Sequence, residues 1–224
     1  MNTEDPLIQN KLVFVLLLLG ISMFLCRFTP AFASEQYSIP ETITVRVTGK
    51  KDCRGLSNVR YTTQQVDFKE YVKGVLPNEW LSSWTEESLK SGAVAVKMFA
   101  WSLYESKGYV WDCNWDQVYF PATRTEKSDK AVDETWNWLF WNDGPVRTYY
   151  DDYPNACLSR GHECMSQWQT YWDSKNGMTW DQILNKYYKG NIVNINYFHT
   201  TQKACNHQIQ AKRLYSLYQF EFCR

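Results

Sequence analysis

The chain has 224 residues with 24 basic and 24 acidic side chains, and its 44% apolar content is enough for one good hydrophobic core. Zero formal charge gives no electrostatic reason to expect nucleic acid or an anionic lipid surface as partner, since either requires an excess of Lys and Arg. Aromatic content is high, with 11 Trp, 15 Tyr and 11 Phe, and such rings both fill cores and stack on the apolar faces of sugars.

Residues 1–33 read as a signal peptide: a polar start with Lys11, an apolar run from Leu12 to Cys26, and Ala31-Phe32-Ala33 before Ser34 as a cleavage site. The apolar run is shorter than the roughly 20 residues that span a bilayer, which favours cleavage over retention as an anchor. In either case the folded part is expected outside the cytoplasm, with membrane contact only through this segment if it is uncleaved. Cleavage removes Cys26 and leaves Cys53, Cys113, Cys157, Cys164, Cys205 and Cys223. An even set in an oxidising compartment predicts disulfides, and the pairing stays open, with Cys157–Cys164 and Cys205–Cys223 as the local candidates. No CxxC or HxxxH spacing is present and His162, His199 and His207 are scattered, so neither a metal site nor another cofactor is expected.

Residues 39–49 alternate Ile43, Val45 and Val47 with Thr42, Thr44 and Arg46, the period of a half-buried strand. After a polar loop holding Cys53, the residues Phe68, Tyr71, Val72 and Val75 share one face of a short helix that stops at Pro77 and delivers Asn78 and Glu79 to a loop. Thr85 caps the longest helix, with Glu86 and Glu87 in its first turn and apolar positions from Leu89 to Leu103 recurring at three and four. Lys97 within that stretch is expected to snorkel to solvent. Residues 111–121 read as an ordered aromatic loop. Ser128 caps a helix to about Trp136, and Trp138–Trp141 with Val146–Tyr150 form a hairpin around Asn142-Asp143-Gly144. Met165–Trp172 predicts a helix ending at Asn176-Gly177; Thr179 caps the next, which closes at Gly190 before a strand at Ile192–Ile195. The expected fold is α+β: a single compact domain over residues 39–195 with a small sheet, a long alanine-rich helix and aromatic-rich loops, stapled by disulfides. Residues 196–224 form a C-terminal extension with two cysteines.

Two blocks carry a resemblance. The first is Tyr71-Val-Lys-Gly-Val-Leu-Pro-Asn-Glu-Trp80 with Trp84, Leu89-Lys90 and Ala93-Val-Ala-Val-Lys97; the second is Ser159-Arg-Gly-His162, Met165-Ser-Gln-Trp168, Gly177, Ile183-Leu184 and Tyr187-Tyr188. Between them stand Asp112 and Gln117-Val118-Tyr119. In order and spacing they resemble the family of the sporulation stage II protein D and the amidase enhancer LytB. Members of the sporulation branch are lytic transglycosylases that cleave peptidoglycan glycan strands stripped of stem peptides, and the resemblance puts their catalytic acid on Glu79. One carboxyl can protonate the glycosidic oxygen and then accept the proton of the muramic 6-hydroxyl, so no second carboxylate is required. Burial near Trp80 and Trp84 would keep that proton bound near neutral pH.

Ser166 and Gln167 are candidates to bond sugar hydroxyls or acetamido groups, Trp168 and Tyr150 to stack on a ring, and Lys97 and His162 to complete the groove. A plainer reading makes Ser166 a helix N-cap, Trp168 core and His162 a loop residue. The sequence departs from the family in carrying Lys97 where Arg is common, which loses the planar fork. It also has a single thiol in Cys113-Asn-Trp-Asp116 where sporulation members can hold zinc. The expected activity is cleavage of denuded glycan strands. The alternatives are a non-catalytic peptidoglycan-binding protein that serves a cell-wall amidase, and an exported domain whose aromatic groove binds another polysaccharide.

Overall fold

The computed structural model describes residues 38–142, 144–153 and 158–196. Expectations for the 1–33 segment, Cys157, Cys205, Cys223 and the chain beyond Asn196 lie outside the described residues. Strand β1 (Thr42–Val47) pairs antiparallel with β2 (Thr62–Asp67) and parallel with β3 (Val110–Trp111), giving the order β2-β1-β3. Ile43 and Val45 point from β1 into the core, as the alternation requires. The sequence Thr62-Thr-Gln-Gln-Val-Asp67 has no apolar alternation because β2 is an edge strand exposed along most of its length.

Helix α1 (Phe68–Glu79) starts at Asp67, whose carboxylate accepts the Glu70 N–H at 3.0 Å. It does not stop at Pro77, as expected from the sequence, but carries the proline inside its last turn and ends with Glu79 as its final residue. Trp80 ends it by taking an extended backbone. Helix α2 (Glu86–Lys107) follows and terminates at Gly108, whose φ of 74° is the left-handed conformation a C-terminal glycine supplies. Alanines, Val94, Val96 and Met98 bury most of its length, so α2 is the hub on which the other elements pack.

Helix α3 (Glu126–Thr135) is capped by Thr125 rather than by Ser128. Ser128 is the third helical residue and closes a capping box with Thr125. The expected hairpin is absent. Strand β4 (Trp138–Trp141) pairs antiparallel with β7 (Asn191–Asn194), and β5 (Tyr149–Asp151) pairs in parallel with β6 (Cys164–Ser166). A single bridge from Trp141 to Pro145 is what remains of the local turn. Met165 is accordingly a strand residue, and helix α4 (Gln167–Lys175) begins after Ser166. Helix α5 (Trp180–Tyr187) completes the α+β arrangement.

A disulfide joins Cys53 to Cys113, with Cα atoms 5.9 Å apart and a sequence separation of 60. This staples the loop after β1 to the loop after β3. The Cys113 thiol is therefore not a metal ligand, and Cys164 is disulfide-bonded as well.

Candidate active site

Glu79 is positioned by the residue that follows it. The Trp80 indole is fully buried against Gly92 of α2, and its Nε1 donates to Thr170 Oγ1 at 3.1 Å. A Cβ on Gly92 would lie 2.6 Å from an indole carbon, so only glycine allows this approach. With Trp80 pinned inward, the last turn of α1 turns Glu79 toward two other segments.

The first is the loop at residues 117–121. It lies across α1 at Gly74, where Tyr119 covers the bare backbone and Phe120 N–H donates to Gly74 O at 3.0 Å. The Asn78 side chain ties the same loop from the other side, donating to Gly74 O at 2.8 Å and to Phe120 O at 3.3 Å. This docking aims the Val118 N–H at Glu79 Oε1, 2.8 Å away. The second segment is the start of α4. Gln167, 4% exposed, donates its amide to the Glu79 backbone carbonyl at 2.7 Å and makes a longer contact of 3.4 Å to Oε2.

Burial pushes the Glu79 carboxyl up to about 7, against the opposing effect of the Val118 and Gln167 donors. Negative charge on Asp152 and Asp151 adds to the rise. The group thus keeps its proton near neutral pH, and two donors are in place to receive the carboxylate once the proton leaves. Beneath it, Gln117 is wholly buried and links two phenols: it accepts from Tyr71 OH at 3.2 Å and donates to Tyr150 OH at 2.7 Å and to Val96 O at 3.1 Å. Burial first, and then nearby negative charges that include Glu79, hold both phenols well above their usual range. They are neutral at any pH at which the protein works.

The structure therefore brings Gln167 and Tyr150 to Glu79, though in other roles than those expected. Gln167 spends its amide on the glutamate, and Tyr150 is edge-on to Trp80 at 4.8 Å and bonded to Gln117. Trp168 is 42% exposed beside Trp84 at 4.9 Å. Ser166 caps α4 by accepting the Gln169 N–H at 3.2 Å. His162 stacks on Tyr149 at 4.1 Å.

Lys97 is the clearest departure. Expected at the edge with its charge in solvent, it is 1% exposed, and its Nζ donates to the carbonyls of Thr135, Trp136 and Trp138 at 2.9, 2.7 and 2.7 Å. The ammonium satisfies two orphan carbonyls at the end of α3 and one at the start of β4, and those three acceptors take up all its donors. Burial, and then the charge of Lys69, push its pKa well below the usual lysine range.

Residues 58–139 match the family of the Stage II sporulation protein, SpoIID. This stretch belongs to the SpoIID family. No curated protein matches the chain. The SpoIID stretch holds Glu79, Lys97, Gln117 and Val118, while from beyond it Gln167 bonds to Glu79 and Tyr150 bonds to Gln117. The SpoIID match over this stretch points to a sporulation- or cell-wall-related protein, and the Cys53–Cys113 disulfide fits an oxidising compartment outside the cytoplasm. Gln117, Val118 and the Asp151–Asp152 pair were not singled out by sequence as parts of the site. The Gln-x-Tyr element was visible as family resemblance, but nothing in it revealed that a backbone N–H at Val118 would hold the acid.

Proposed function

We propose that the protein is an exported lytic transglycosylase acting on peptidoglycan glycan strands that have lost their stem peptides, with Glu79 as the acid and base. The observation that carries this reading is a single carboxyl, half-buried, holding its proton to about 7 and gripped by Val118 and Gln167. Protonated Glu79 gives its hydrogen to the glycosidic oxygen as the bond from that oxygen to the muramic anomeric carbon breaks. The carboxylate so formed is stabilised by the Val118 N–H and the Gln167 amide. It then takes the proton of the muramic 6-hydroxyl while that oxygen bonds to the anomeric carbon. The ring closes, Glu79 is protonated again, and no water is consumed.

Mass spectrometry of stem-peptide-free strands incubated with the mature protein tests this. Anhydromuramic ends are expected from the wild type, with a loss of at least about a hundredfold in Glu79→Gln, the usual size of general acid catalysis. Strands bound by both proteins with anhydro ends from neither would overturn the catalytic reading in favour of a binding protein that serves an amidase.

A further inference from the structure

Helix α4 presents two faces. Gln167, Thr170 and Asp173 are buried, and Asp173 fastens the helix to α5 by accepting from Lys186 at 2.8 Å and Tyr187 at 3.2 Å. On the outward face stand Trp168 and Trp172, 42% and 54% exposed and one helical turn apart. Exposed indoles in such a pair are uncommon, because burial is the usual fate of so much apolar area.

The two rings do not hang freely. Trp168 lies against Trp84 at 4.9 Å, Trp84 against Tyr171 at 5.8 Å, and Tyr171 against Trp172 at 5.0 Å. The middle of this run is fixed: Trp84 is 5% exposed and its carbonyl accepts from Lys127. The outer indoles are therefore held at set angles by the buried Trp84 and the partly buried Tyr171, which lowers the entropy lost when a ligand covers them.

We infer that Trp168 and Trp172 form a stacking platform for sugar rings, which carries the glycan strand away from the cleavage site. This rests on the reading of Glu79 as a glycan-cleaving acid, and it adds where the rest of the strand lies. Continuity supports it, because Trp168 directly follows Gln167, whose amide is bonded to Glu79. The separation supports it too: four helical residues advance about 6 Å, comparable with the step from one sugar ring to the next. The exposed neighbours on the same helix are Gln169 and Lys175. They offer hydrogen bonds to hydroxyls rather than the aliphatic rim of a protein interface.

The test uses the mature protein and stem-peptide-free glycan strands, with binding followed by intrinsic tryptophan fluorescence and co-sedimentation with sacculi. Trp172→Ala should weaken strand binding about tenfold, the worth of one well-placed aromatic contact. Trp172→Phe should restore most of it, and circular dichroism should be unchanged because the side chain is exposed. Unchanged strand affinity in Trp172→Ala overturns the platform whatever the cleavage assay gives. So does a change in oligomeric mass without a change in strand affinity. Weakened binding in Trp172→Ala alongside a wild type that makes no anhydro ends would leave the platform standing and remove the transglycosylase.

Discussion

At the scale of single residues, the environment that raises the Glu79 pKa also costs stability. Its carboxyl binds the proton more tightly when folded, at about 7, than an ordinary glutamate does at 4.5. The unfolded chain therefore holds fewer protons between these values, and stability falls as pH rises from about 4.5 to about 7, then levels off. The full shift corresponds to roughly 3 kcal/mol, which solvent around a half-buried side chain reduces to about 1–2 kcal/mol. Glu79→Gln should thus melt roughly 3–6 °C higher than wild type at pH 8 and show no such gain at pH 4. Calorimetry at the two pH values decides this. Asp152 acts on the same equilibrium from a distance. Replacing it in Asp152→Asn removes a charge that raises the Glu79 pKa, so the alkaline limb of the cleavage profile should move to lower pH by a fraction of a unit. A pH–rate profile of the two proteins measures the displacement.

Among the elements, what could be read from sequence depended on whether the information was local. The long helix α2 was legible from its apolar period, and α5 from its Thr179 start, because both signals sit within the segment. Strand β2 was invisible, since an exposed edge needs no apolar face. The hairpin failed for a different reason. Trp138–Trp141 is a true strand, but its partner lies at Asn191–Asn194, and no turn residue announces a pairing at that range. Lys97 was misread because the carbonyls that receive it belong to other elements, the end of α3 and the start of β4. The contact between α1 and α2 bears a sharper test. Gly92→Ala drives a methyl into the Trp80 ring and should destabilise by about 1–3 kcal/mol, the usual range for overpacking. Because Trp80 aims the end of α1, cleavage should fall further than urea unfolding curves alone would account for.

For the whole molecule, the Cys53–Cys113 bond closes a loop spanning 60 residues that includes α1 and α2. In the chain-entropy account such a closure stabilises the fold by about 4 kcal/mol. Reduction in dithiothreitol should lower the thermal midpoint by several degrees or more, and Cys53→Ser should reproduce that component of the shift. The candidate site spans a longer range still. Glu79 was singled out by the family resemblance of its neighbours in sequence, but Gln167 is 88 residues away, and its bond to the glutamate could be seen only once the chain had closed. That distance has a temporal consequence. In an extended or half-folded chain Glu79 is an ordinary carboxylate with a pKa near 4.5, ionised at neutral pH and without a proton to give. If Glu79 is the glycan-cleaving acid proposed above, a chain that has not yet folded is therefore harmless to the glycan it will later cut. It becomes an acid only when the segments carrying Val118 and Gln167 have closed over the end of α1, so completing the fold does the work that a cleavable inhibitory peptide does elsewhere.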